Sequence, residues 1–105
     1  LTARRVQFVT GHDVSGALPE DLNLDALADP LASTVIFMGK GTFPRLFAML
    51  EARGLPASTA AILAEEVSGP GQTITRTTVG ALAEQLAAEK GTKAALILYG
   101  SLAEA

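Results

Sequence analysis

A four-residue turn, Ser68-Gly69-Pro70-Gly71, set between two segments that read as strands, decides more about this fold than any other stretch of the chain. Glycine on either side of proline supplies both the backbone freedom and the fixed φ of a tight reversal. Before the turn, Ala60-Ala61-Ile62-Leu63-Ala64 is apolar throughout, as a buried strand would be, although its alanine content alone would also suit a helix. After it, Gln72-Thr73-Ile74-Thr75-Arg76-Thr77 is β-branched and polar, which suits an exposed or edge strand. So short a connection pairs the two strands antiparallel, because a parallel pair needs a crossover of a dozen or more residues. A purely parallel sheet is thereby excluded.

The other elements alternate between strand and helix. Arg5-Val6-Gln7-Phe8-Val9-Thr10 alternates apolar and polar at period two and meets Gly11, as a half-buried strand ending in a turn. His12 to Glu20 carries Asp, Ser, Gly and Pro and reads as a loop. Leu24, Leu27 and Ala28 fit one short helix stopped by Pro30. Thr34-Val35-Ile36-Phe37-Met38 is a second strand. Phe43, Leu46, Phe47 and Leu50 then recur at helical spacing, with Thr42 as a capping residue, Pro44 in the first turn and Gly54 at the left-handed position beyond the end. Val79, Leu82, Ala83 and Leu86 repeat the spacing after Thr78, and Gly91 ends that helix. Ala94 to Tyr99 is a last buried strand closed by Gly100. The expected strands are Arg5–Thr10, Thr34–Met38, Ala60–Glu65, Gln72–Thr77 and Ala94–Tyr99, and the main helices Phe43–Arg53 and Val79–Lys90. The fold class is α/β: a single domain over residues 1–105, with a mixed sheet of about five strands flanked by helices.

Composition narrows the function classes. At 105 residues, 49% hydrophobic and 18% charged, the chain can hold a core and does not read as disordered. A net charge of -3 argues against binding nucleic acid through phosphate neutralisation. With no cysteine and one histidine there is no thiolate nucleophile, no disulfide framework and no set of ligands for zinc. No apolar run approaches the ~18 residues of a membrane-spanning helix. The start, Leu1-Thr2-Ala3-Arg4-Arg5, has neither an initiator methionine nor the apolar stretch of a signal peptide. The expectation is a piece of a longer protein, with chemistry in the remainder.

Local motifs have ordinary readings beside functional ones. Gly39-Lys40-Gly41-Thr42 follows a buried strand and opens a helix, where backbone amides can receive an anion. It is not a Walker loop, because Val35 and Ile36 lie where that loop would be, and not a dinucleotide fingerprint, because Pro44 stands in place of the third glycine. It reads as a strand-to-helix turn or a ligand contact at the sheet edge. His12, beside Asp13, reads as a loop histidine or a substrate contact; no Gly-x-Ser-x-Gly elbow accompanies it. Glu65 and Glu66 are adjacent at a strand end, so they point to opposite faces and form no acid–base pair. Thr73, Thr75 and Thr77 share a face and read as a solvated sheet edge.

Taken together, the segments Arg4–Asp13, Leu24–Thr59, Ala64–Ala87 and Ala94–Gly100 resemble the C-terminal half of the tetrapyrrole methylases, and among them the uroporphyrinogen-III C-methyltransferases. The resemblance runs from Arg5 to about Leu102. It rests on Thr10-Gly11-His12 after the first strand, Met38-Gly39 ending the second, the Pro70-Gly71-Gln72 turn, and the order of elements. It implies two α/β domains with S-adenosylmethionine between them, and methyl transfer to ring carbons of uroporphyrinogen III, giving precorrin-2 for sirohaem, cobalamin or haem d1. It also implies a cytoplasmic homodimer that uses no metal and binds neither nucleic acid nor membrane. The family's Gly-Gly-Asp loop and acid–base residues belong to the N-terminal domain, so no catalytic residue is expected in this chain. Cofactor-binding positions carry over to Met38, in Phe37-Met38-Gly39; to Val67, in Glu65-Glu66-Val67; and to Ala95, in Ala94-Ala95-Leu96. Thr10, Gly11 and His12 carry over as substrate-binding positions. Phe37 stands where the family has tyrosine, Glu66 where it has asparagine, Val67 where it has a small residue, and Ala94 where it has proline. The other readings are a non-catalytic α/β binding or regulatory module, and a divergent precorrin methylase.

Overall fold

The last strand in sequence occupies the middle of the sheet. In the computed structural model, which describes residues 5–10, 22–37, 41–65, 72–88 and 95–104, the strands are β1 (Val6–Thr10), β2 (Ser33–Phe37), β3 (Ala60–Glu65), β4 (Thr73–Thr78) and β5 (Ala95–Gly100). Their spatial order is β1-β2-β5-β3-β4. Only β1 and β2 run parallel; β5 lies antiparallel to both β2 and β3. β3 and β4 pair antiparallel from Ala60–Thr78 to Glu65–Thr73. That is the pairing required by the Ser68–Gly71 turn, which itself lies outside the described residues, as does Gly91. The remaining elements are α1 (Leu24–Leu27), α2 (Phe43–Ala52), α3 (Val79–Ala88) and a 3-10 turn at Ser101–Glu104. Every expected strand forms, with bounds shifted by at most one residue where they are described.

One face of the sheet carries the core. Ile36, Ile97, Tyr99, Ala61 and Leu63 point from the three central strands into a cluster with Phe43, Leu46, Leu50, Val79, Leu82 and Leu86 of the two long helices. Half-burial of Thr75 and Thr77 follows from register, since they sit opposite Leu63 and Ala61 on that covered face. The threonine stripe is therefore a solvated edge only at Thr73.

Helix ends follow their local chemistry. Gly54 adopts φ +103°. Its amide bonds the Glu51 carbonyl at 3.0 Å while the Leu55 amide bonds the Leu50 carbonyl at 3.1 Å, the paired closure of a left-handed C-terminus. Thr78 opens α3 by accepting from the Ala81 amide at 3.3 Å. Thr42 precedes α2 but makes no side-chain capping bond. A cap accepts from the second or third helical amide, and here the second residue is Pro44, which has none.

A polar cluster fastens α1 to the sheet. The Tyr99 hydroxyl donates to the Leu27 carbonyl at 2.6 Å. Gln7 Nε2 donates to the Ala26 carbonyl at 2.9 Å and to Thr34 Oγ1 at 2.8 Å. No buried side-chain polar atom among the described residues lacks a partner.

Candidate functional site

Strand register brings five strand ends together at one end of the sheet. Thr10 is level with Phe37, Phe37 with Leu96, Glu65 with Ala95, and Thr73 with Glu65. The chain thus leaves β1, β2 and β3, and enters β4 and β5, at the same end. Of the candidate positions, Thr10 and Ala95 are described. Gly11, His12, Met38 and Val67 lie outside the described residues, as do Glu66, Lys40 and Ala94. In sequence, Gly11 and His12 directly follow Thr10, Met38 directly follows Phe37, and Val67 comes two residues after Glu65.

Thr10 and Ala95 share an end but not a face. Ala95 is half-buried and packs against the core on the helix-covered side. Thr10 is exposed and alternates with Gln7 and Val9, so it projects from the opposite side. Phe8, two residues earlier, shares the Thr10 face and stacks on Phe37, with ring centroids 6.1 Å apart and planes at 21°. Both rings are open, Phe8 at 64% and Phe37 at 41% exposure. Sequence alternation carried the signal for Phe8, but its apolar row turns out to face outward. Gln7 and Val9 take the covered side.

Among the described residues, Ala95 offers this end of the sheet a wall. A methyl side chain at Ala95 leaves the backbone open to close approach. The half-buried Glu65 is level with Ala95, while the exposed Thr10 stands two strands away on the other face. Among the described residues no group of three His, Asp or Glu could hold a metal ion. Burial pushes the Tyr99 phenol up to about 12, against the opposing effect of its hydrogen bond with Thr34. Tyr99 is level with Thr34 toward the other end of the sheet, where it serves α1. A groove of about 680 Å³ runs between α2 and α3, lined by Pro44, Phe47, Glu51, Ser58, Gly80 and Glu84 among others. It includes neither Thr10 nor Ala95. No described helix is long and apolar enough to cross a membrane.

Known proteins share both the sequence and the fold. No family model matches the chain. It is 36% identical over 101 residues to a sirohaem synthase of Gluconobacter oxydans, covering 95% of this chain and 21% of that protein. Over 68 residues it is 37% identical to a chloroplastic S-adenosyl-L-methionine-dependent uroporphyrinogen III methyltransferase of Arabidopsis thaliana, covering 65% of this chain and 18% of that one. The structure of uroporphyrin-III C-methyl transferase from Thermus thermophilus complexed with S-adenyl homocysteine superposes with a TM-score of 0.75 at 23% identity, over 98% of this chain and 44% of that one. A cobalt precorrin-4 methyltransferase gives a TM-score of 0.75 at 21% identity, over 94% and 41%. The two structures speak to the fold and the two sequences to kinship. The chain spans about a fifth of the curated relatives' length, and under half of the solved chains. From sequence and fold together, this chain belongs to the tetrapyrrole methylase family.

Proposed function

We propose that this chain is the C-terminal domain of an S-adenosylmethionine-dependent uroporphyrinogen-III C-methyltransferase, acting in a cytoplasmic homodimer on the route to precorrin-2. The observation that carries the reading is the gathering of Thr10, Phe37, Glu65 and Ala95 at one end of the sheet. These are the strand ends that lead to every position implied by the family resemblance. The relatives' names supply the activity: one is a sirohaem synthase, another a uroporphyrinogen III methyltransferase.

The residues fit the cofactor in kind. Ala95 presents a small side chain at a half-buried strand start, where a nucleoside can lie close to backbone. Met38 brings a flexible, polarizable side chain suited to packing on rings, and Val67 adds an apolar wall. When bound, S-adenosylmethionine supplies a methyl group already activated on a sulfonium. This domain's task is to hold donor and ring carbon in line, and positioning of that kind accounts for much of a transfer rate. Thr10, Gly11 and His12 contact the tetrapyrrole. Acid–base work falls to the N-terminal domain.

Radiolabelled methyl transfer to uroporphyrinogen III tests the reading. The longer protein transfers label and these 105 residues alone do not. A reading frame without a preceding Gly-Gly-Asp domain, or a longer protein that transfers nothing, overturns it in favour of a non-catalytic module.

A further inference from the structure

The sheet row that carries Ala95 also carries a carboxylate. Ala95 of β5 lies opposite Glu65 of β3, and Glu65 lies opposite Thr73 of β4. Directly opposed residues of an antiparallel pair share a face, with Cβ atoms about 4.5–5.5 Å apart. The three therefore stand abreast on the helix-covered side, at the end of the sheet where the candidate positions gather. One row further in, Ile97 and Leu63 are both 0% exposed, whereas Ala95 and Glu65 are half-buried. Glu65 also breaks the pattern of its own strand. Ala61 and Leu63, the preceding residues on that face, belong to the core. Alternation calls for a third apolar residue there. A half-buried carboxylate instead carries a desolvation cost. Such a departure from an otherwise consistent pattern marks a working position.

We infer that Glu65 is a further cofactor-binding residue, its carboxylate accepting hydrogen bonds from the ribose 2′- and 3′-hydroxyls of S-adenosylmethionine. The inference rests on the function proposed above and adds one contact to the same site. With Ala95 against the adenosyl group, the next strand at that level is β3, and the side chain it presents on that face is Glu65. The sugar is bonded directly to the base, so a nucleoside on Ala95 needs to cross only one interstrand spacing, about 4.8 Å, to reach β3. A vicinal diol offers two O–H donors side by side. A carboxylate has two oxygens with about four lone-pair sites, enough for both donors beside any other partner. Hydrogen bonds to an ionised acceptor are short and roughly twice as strong as neutral ones. The methyl donor also carries a sulfonium cation, but the whole sugar separates it from the base. Adjacency to Ala95 therefore favours the diol as the group that meets Glu65.

Calorimetric titration of the longer protein tests this. The ligands are S-adenosylmethionine, S-adenosylhomocysteine, and the 2′-deoxy and 3′-deoxy forms of S-adenosylhomocysteine. The parent should bind intact S-adenosylhomocysteine about tenfold or more tighter than either deoxy form, a comparison that needs no variant. Glu65→Ala, with a thermal midpoint close to the parent's, should weaken S-adenosylmethionine and S-adenosylhomocysteine by the same factor, about tenfold or more. It should also lose the parent's preference for the intact diol. A parent indifferent to the missing hydroxyls, or a Glu65→Ala protein that keeps the parent's preference, would overturn the inference. So would a loss confined to S-adenosylmethionine, which would put the carboxylate at the sulfonium. A parent that binds none of these ligands overturns the proposed function and this inference together. One that binds them and transfers methyl groups, with no coupling between Glu65 and the diol, overturns this inference alone.

Discussion

Ala95, the first residue of β5, lies directly opposite Glu65, the last residue of β3. That pairing matters because β5 enters the sheet between β2 and β3, so the start of the last strand abuts the ends of two earlier ones. Residues 66–71 leave from Glu65, residues 38–42 leave from Phe37, and both departures flank the start of β5. One insertion of a strand thus brings three distant stretches of sequence to the same end of the sheet.

Core truncations should be costly on both helices. Leu46 on α2 and Leu82 on α3 are 1% and 0% exposed. Leu46→Ala and Leu82→Ala should each destabilise by about 2–5 kcal/mol in urea titration, with the m-value unchanged. A loss below about 1 kcal/mol at either site would remove that helix from the core.

Two glycines with positive φ should respond differently to alanine. Gly54 has φ +103° with open space where a Cβ would stand, so Gly54→Ala should cost about 1 kcal/mol, the left-handed penalty alone. Gly100 has φ +108°, and a Cβ there would meet the Ala32 carbonyl oxygen. Gly100→Ala adds displacement of the Ala32–Ser33 backbone to the same penalty and should cost well over ~3 kcal/mol. Thermal unfolding of the two variants checks the order.

Alkaline pH should loosen the attachment of α1. Tyr99 is held neutral in the folded chain, with its value raised to about 12 against 10.0 when unfolded. A raised acid favours the folded state below the unfolded value, and that stability is lost as pH climbs from 10.0 toward about 12. The decline attributable to Tyr99 is about 2–3 kcal/mol over that window. Tyr99→Phe should flatten it, while costing about 1–3 kcal/mol at neutral pH through the unmet Leu27 carbonyl. Chemical denaturation at stepped pH resolves both effects.

Much of the architecture was legible in the residues. Ser68–Gly71 dictated an antiparallel β3–β4 pair, Gly54 the end of α2, and the apolar spacing from Phe43 to Leu50 its buried face. Strand order was not legible, because nothing local in Ala95–Gly100 says that it pairs with both β2 and β3; that is decided by the pooled burial of Ile36, Leu63 and Ile97. Nor was the outward turn of Val6 and Phe8. Alternation separates two faces without saying which one the helices cover, and here Gln7 is drawn inward by its bonds to Ala26 and Thr34. Of the candidate site, the resemblance named the positions, and register supplied the fact that Thr10 and Ala95 meet at one end from opposite faces.

On the function proposed above, this domain supplies one wall of an S-adenosylmethionine site at that end of the sheet. Calorimetric titration of S-adenosylmethionine into the longer protein, beside its Met38→Ala, Val67→Ala and Ala95→Leu variants, is the decisive measurement. Met38→Ala and Ala95→Leu should each weaken binding tenfold or more, about 1.4 kcal/mol, with thermal midpoints close to the parent. Val67→Ala should shift affinity as well, tighter if the branched side chain crowds the adenosyl group and weaker if it packs on it. Parent affinity in all three variants would contradict a cofactor wall in this domain.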